Sequence, residues 1–254
     1  MHRTDIQAMP LKTTAYRRFT LEEAIDWVMH LCEAKGCSPA VALRSIAMTN
    51  STEDPSWDQA IIRCTESLRR SLHSVLSNCG CDKALAHAAS LSTAQWNIRK
   101  TAQTSNALPR CLERHLSEAL DIAPRTDDDL ISMLAALSML WPHLPWINRQ
   151  ARADQDSAFV ERHRHGMIAG PGALFECSTL TLGLALMMPE TRYPYHQHPP
   201  AEFYLVLSPG DWYREDVGWW SPGAGGVVFN PPSCIHAMKS TQVPLLAVWG
   251  LMHE

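Results

Sequence analysis

The stretch Tyr193-Pro194-Tyr195-His196-Gln197-His198-Pro199-Pro200-Ala201-Glu202-Phe203-Tyr204 decides how the rest of the chain is read. Two imidazoles, a carboxylate and three phenols fall within twelve residues, between runs that read as β-strands. A second polar cluster, Asn230-Pro231-Pro232-Ser233-Cys234-Ile235-His236, follows in a similar strand–turn setting. Successive side chains of a strand alternate faces, so Glu202, Tyr204 and Val206 point one way, and His196 and His198 share a face. Pro199-Pro200 bends the chain between the two pairs, so His196, His198, Glu202 and Tyr204 can converge inside a barrel, with His236 as a further ligand.

Imidazole nitrogens with a carboxylate oxygen suit one divalent metal ion: zinc, iron, manganese or nickel, with zinc or iron favoured. A phenolate oxygen adds preference for a strong Lewis acid. A lone histidine is more often a surface or hydrogen-bonded residue than a ligand. The joint pattern His-x-His-x3-Glu, then a strand, then a histidine after a Pro-rich turn, is what carries the metal reading. His163 and His165 form a second His-x-His in a polar bridge without a nearby acid. They read as solvated, or as lying just outside the ligand set.

Working outward, the periodicity divides the chain. From residue 20 to about 140 it is helical. Thr20 and Glu23 form a capping box for a helix ended by Gly36, and Ser38-Pro39 starts a short helix to about Met48. A longer helix is expected over 56–77, with Ile61, Ile62, Thr65, Leu68, Leu72, Val75 and Leu76 as its apolar stripe. Asp82 caps the next, through about Thr101, with Leu85, Ala88, Leu91 and Ile98 inward. Pro109 and Pro124 bracket a helix over 111–122, and Thr126 or Asp127 caps the last. The two prolines of Trp141-Pro142-His143-Leu144-Pro145-Trp146 end the helical pattern. After a polar bridge over 148–165 the period becomes two. Leu180, Leu182, Leu184 and Leu186 share a face, and short apolar runs over 202–207, 225–230 and 245–250 are separated by Pro and Gly. This predicts an α+β chain: a helical N-terminal region (1–147) followed by a small β-barrel or sandwich (148–254).

Composition excludes several classes. The net charge of −4 offers no basic field for nucleic acid. No run of about 18 apolar residues is present to span a membrane. The polar residues 1–20 lack the apolar core of a signal peptide, which favours the cytoplasm. The eight cysteines are scattered, and Cys79-Gly80-Cys81 is too tight for a redox CxxC, so they read as structural or incidental thiols.

His196-Gln197-His198-x3-Glu202 followed by Gly210 is similar to the first cupin motif, and Pro232-x3-His236 resembles the end of the second. The likeness covers about 170–251. It is closer still to the dimethylsulfoniopropionate (DMSP) lyase cupins, especially long-chain members with a helical N-terminal half. The residues that carry it are Tyr193-Pro194-x-His196-x-His198, Glu202-x-Tyr204, Leu207-Ser208-x-Gly210-x-Trp212, Pro222-Gly223, His236-Ala237-Met238 and Pro244-Leu245-Leu246-Ala247-x-Trp249. The resemblance implies a cupin barrel (a jelly roll, or double-stranded β-helix) that cleaves DMSP to dimethyl sulfide and acrylate. It implies His198, Glu202 and His236 as metal ligands, Tyr204 as a ligand or close neighbour, Tyr193 as the general base, and His196 near the metal. One departure stands out: the family often has histidine where this chain has Asn230, which cannot act as a base.

The chemistry is a β-elimination. The metal neutralises the substrate carboxylate and a phenolate takes the α-proton. Tyr204 is expected to share in catalysis from beside the metal. The sulfonium end is a permanent cation suited to aromatic faces, with Tyr195, Trp212 and Trp249 the leading candidates beside Trp219 and Trp220, and His196 on the substrate side of the metal. The expected partner is thus a small sulfonium carboxylate, and the helical half is expected to cover the barrel, close its mouth or form a homodimer. Two other readings stay open on sequence: a cupin lyase, isomerase or dioxygenase acting on another small carboxylate, and a ligand-sensing cupin without catalysis.

Overall fold

A computed structural model describes residues 57–99 and 106–253. The helices expected over residues 20–48, with Cys32 and Cys37, lie outside the described residues.

Among the described residues, four α-helices precede the barrel: Trp57–Asn78 (α1), Asp82–Thr93 (α2), Arg110–Ile122 (α3) and Asp128–Leu140 (α4). Helices α1 and α3 are amphipathic, whereas α4 is apolar and buried on nearly every side over 132–137. On α1 the residues Ile61, Leu68, Leu72 and Leu76 are buried, the 3–4 spacing of one helix face. Asp127 caps α4, its Oδ1 accepting the Leu130 N–H at 2.9 Å. Helix α2 departs from the sequence reading. Cys81 is its N-cap, Asp82 is its first residue, and it stops at Thr93 rather than near Thr101. The cause is tertiary: Arg69 on α1 donates to the carbonyls of Leu91 (3.1 and 2.5 Å) and Ala94 (3.0 Å), satisfying the helix end from a neighbouring element. The buried face of α2 is Ala84, His87, Ala88 and Leu91, which leaves Leu85, expected inward, facing solvent at 45% exposure, and the chain beyond turns into a strand.

Twelve strands follow or interleave among the described residues: Asn97–Ile98 (β1), Trp146–Ile147 (β2), His163–Ala169 (β3), Phe175–Glu176 (β4), Leu180–Met187 (β5), Arg192–His196 (β6), Glu202–Val206 (β7), Gly210–Arg214 (β8), Gly218–Trp220 (β9), Val227–Asn230 (β10), His236–Ser240 (β11) and Leu245–Met252 (β12). A large sheet runs β1-β4-β3-β5-β12-β7-β10, with β2 added on β3, and a small sheet runs β6-β11-β8-β9. The two sheets make the expected cupin-type barrel, and the chain is α+β. The polar bridge is shorter than expected. From His163 onward the chain is already strand, and His163, His165 and Met167 pair with Met187, Ala185 and Gly183.

The large sheet is buried on both faces, and this orders the whole molecule. Outward-facing Leu180, Leu182, Leu184, Leu186, Phe203, Leu205, Leu246 and Val248 share one apolar cluster with Leu68, Leu72, Leu112, Leu116 and Leu137 of the helices. Inward-facing Ala185, Met187, Tyr204, Val206, Ala247 and Trp249 pack instead against Tyr193, Trp212 and Met238 of the small sheet. The helical half is therefore a cover over one sheet. At ~25 cal/mol per Å² of buried apolar surface, such a layer is a main source of stability. Gly250 is required where the layers meet, because a Cβ there would lie 2.3 Å from the Phe203 ring.

Candidate metal centre

Strands β6, β7 and β11 and the turns beside them bring His196, His198, Glu202 and His236 together. One ring nitrogen of each histidine lies within 4.8 Å of the others. Glu202 is buried, with its Oε2 3.0 Å from His236 Nε2 and 3.5 Å from His198 Nε2. The rings of His196 and His236 are 4.1 Å apart, and those of His198 and His236 4.9 Å.

The backbone sets the ring tautomers. His196 Nδ1 faces the Pro194 carbonyl at 3.0 Å, His198 Nδ1 faces that of Pro200 at 2.9 Å, and His236 Nδ1 faces that of Cys234 at 3.0 Å. A carbonyl only accepts, so each Nδ1 carries the proton and each neutral ring turns an Nε2 lone pair inward. The Nε2 atoms of His198 and His236 are buried without a hydrogen-bond partner. Lone pairs aimed at a carboxylate repel it unless positive charge lies between them. This donor set (imidazole nitrogens, one carboxylate, no soft sulfur) fits a divalent ion of the zinc, iron, manganese or nickel kind.

Protons on the two Nε2 atoms can supply the same positive charge, and the electrostatics describe that state. Burial opposes the Glu202 anion, yet the imidazoles of His198 and His236 hold it well below the usual carboxylate range. Burial opposes a charged His198, but Glu202 outweighs it and raises the ring above its ordinary value. His196 is pushed down to about 3, first by burial and then by His236.

Tyr193 and Tyr204 both point into the barrel and are buried. Burial, then the Glu202 charge, pushes the Tyr204 phenol well above its ordinary value. Tyr193 is pushed up to about 12 by burial, against which the Arg149 guanidinium works. That guanidinium stands 5.5 Å from the Tyr193 ring centre. The Tyr193 hydroxyl is 3.3 Å from His165 Nε2. Trp212 packs 6.1 Å from Tyr204, and Trp249 packs 5.5 Å from His165, both from inside the barrel.

Tyr195 does not join them. Strict alternation puts Tyr193 and Tyr195 on one face, but β6 carries an extra residue against β11. His196 pairs with His236 and Tyr193 with Met238, so three residues on β6 span two on β11. The bulge turns Tyr193 and His196 inward together, with rings 5.1 Å apart. Tyr195 is left on the outer face, 41% exposed, under Arg192 and beside Tyr213 and Trp219. Its sequence-based place among substrate contacts is corrected accordingly, and Trp219 lies with it outside. For His163 and His165 the second of the two sequence readings holds: they lie just outside the ligand set, beside Tyr193. They are not solvated: burial pushes them to about 4 and about 3, as neutral rings beside Tyr193. Their His-x-His spacing was visible in sequence, but only the strand they start shows where they face. Arg149 gave no sequence signal at all.

The family model for dimethylsulfoniopropionate lyase matches residues 82–247. The chain belongs to the DMSP lyase family. Dimethylsulfoniopropionate lyase DddQ of Ruegeria pomeroyi DSS-3 is 29% identical over 91 residues, which span 35% of this chain and 45% of that protein. Among solved structures, a chain from the crystal structures of DMSP lyases RdDddP and RnDddQII matches with a TM-score of 0.57 at 20% identity, over 76% of this chain and 94% of that one. DMSP lyase DddQ from Ruegeria pomeroyi DSS-3 matches with a TM-score of 0.52 at 18% identity, over 74% and 92%. These two likenesses establish a shared fold. Against the family pattern, the departure at Asn230 has a structural use: its Nδ2 donates to Glu202 Oε2 at 3.0 Å from a fully buried position. It holds the carboxylate in place where a histidine would bring a ring.

Proposed function

We propose that this DMSP lyase family member cleaves DMSP by β-elimination to dimethyl sulfide and acrylate inside the barrel, with Tyr193 as general base. The observation that carries the reading is the bulge in β6, which sets Tyr193 and His196 side by side on the wall of the imidazole–carboxylate cluster. A divalent ion held by His198, Glu202, His236 and Tyr204, with His196 beside them, would neutralise the substrate carboxylate and the charge that builds on it as the α-proton leaves.

The chain's own residues do the rest. Tyr193 takes the proton, and the hydrogen bond to His165 fixes the line of its hydroxyl. Burial holds this phenol at about 12 even with Arg149 beside it, so the phenolate would depend on the further positive charge of the ion. Trp212 and Trp249 line the interior with aromatic faces, each worth roughly 0.5–2 kcal/mol to a sulfonium cation. The sulfur departs as a neutral thioether and needs no acid. Proton and leaving group come from adjacent carbons, so the electron pair of the broken C–H bond becomes the double bond of acrylate.

The test is headspace dimethyl sulfide release from DMSP by metal-loaded protein, in wild type and Tyr193→Phe. Release by wild type that falls at least a hundredfold in Tyr193→Phe, at unchanged metal content, supports the reading. No release by wild type overturns the activity, and full activity in the variant overturns the base.

A further inference from the structure

His163 and His165 are adjacent inward residues of one strand, yet their hydrogen bonding differs. Both nitrogens of His163 are bound to backbone: Nδ1 lies 2.7 Å from the Phe159 carbonyl, and Nε2 accepts the Arg149 N–H at 3.0 Å. That ring is a structural tie between β3 and the segment over the barrel. His165 has no backbone partner. Its Nε2 meets the Tyr193 hydroxyl at 3.3 Å, and its Nδ1 is buried without a hydrogen-bond partner. Its ring is held edge-on between Tyr193 (5.7 Å) and Trp249 (5.5 Å). A buried polar ring is costly unless its hydrogen bonds are made, and this one makes a single bond, to a phenol on the wall of the metal-ligand cluster.

We propose that His165 is the positioning residue of Tyr193: its Nε2–H donates to the phenol oxygen, a bond that persists when the phenol is ionised, and sets the direction in which the oxygen faces the substrate. The proposal rests on the assignment of Tyr193 as base. The packing supports it. Trp249 packs 5.5 Å from the His165 ring and Phe159 5.3 Å from the Tyr193 ring, so both rings are backed by aromatic neighbours and the hydrogen bond aims the oxygen. Nδ1 has no partner, and a bare buried lone pair there is cheaper than a bare N–H, so the neutral ring carries its proton on Nε2.

The experiment compares His165→Leu, which removes the donor, with His165→Gln, which keeps one. Three readouts apply: steady-state dimethyl sulfide release, the fold by circular dichroism, and the tyrosine ring doublet in Raman difference spectra against Tyr193→Phe. That doublet reports whether the phenol oxygen donates or accepts a hydrogen bond. In His165→Leu, kcat is expected to fall on the order of tenfold to a hundredfold with KM within about threefold, and the Tyr193 signal to lose acceptor character. His165→Gln is expected to recover both in part. An unchanged kcat or Raman signal in His165→Leu overturns the proposal, as does an equal loss in the two variants. If wild type releases no dimethyl sulfide, the lyase reading has failed, and the Raman comparison alone still decides whether His165 holds Tyr193.

Discussion

Three residues set the character of the site in different ways. Glu202 is a buried anion kept ionised by two imidazoles and steadied by Asn230. Removing the Asn230 amide leaves that carboxylate oxygen without its neutral donor, so Asn230→Ala is expected to weaken metal affinity about tenfold to a hundredfold, read by competition with a chelator. Unchanged affinity would show that the amide is not needed. His163 and His165 make stability depend on pH. Both have folded values far below the ordinary 6.5, so as pH falls the unfolded chain takes up protons that the buried rings refuse. The stability present above pH 6.5 is therefore lost progressively towards pH 3 to 4, on the order of a few kcal/mol in all. Urea midpoints of chelator-treated protein at pH 7 and pH 4 should show the drop, and His165→Leu should flatten it. An identical slope in the variant would exclude His165 as a contributor.

At the scale of the elements, the bulge between β6 and β11 decides which aromatic groups meet the site. One extra residue rotates Tyr195 out and lets Tyr193 and His196 face inward three positions apart. Tyr195→Ala is accordingly expected to leave the KM for DMSP within about twofold, whereas a tenfold rise would place Tyr195 in the substrate pocket. The alternation on β5 was legible in sequence because Leu180, Leu182, Leu184 and Leu186 repeat with period two, and β7 and β12 were legible only as short apolar runs. The bulge was not, because no Gly or Asn marks it and the extra residue is visible only against its partner strand. The early end of α2 was hidden for a similar reason. Its cap is the Arg69 side chain, which lies 22 to 25 residues away from the carbonyls it binds.

For the whole molecule, the helices and the large sheet share one apolar cluster, so neither has a separate interior among the described residues. Leu72→Ala on α1 and Leu182→Ala on β5 are each expected to cost about 2–5 kcal/mol, in a single cooperative transition seen alike by far- and near-ultraviolet circular dichroism. Two separated transitions would show that the layers unfold independently. The cover also touches the chain next to the site: His87 of α2 reaches the Ala201 carbonyl at 3.4 Å, one residue before Glu202.

The sequence by itself determined the period of each half, the helical cover followed by a barrel, and the spacing His196-x-His198-x3-Glu202 with a later His236. These are local or nearly local signals, written by side-chain alternation and turn residues. It also carried Asn230, His163 and His165 as letters without contacts. Only the tertiary structure decided that His165 faces Tyr193, that Asn230 holds Glu202, that Arg149 stands over the Tyr193 ring and that Tyr195 lies outside. Each depends on the register between strands distant in sequence, and a one-residue slip there turns a side chain from the interior to the solvent.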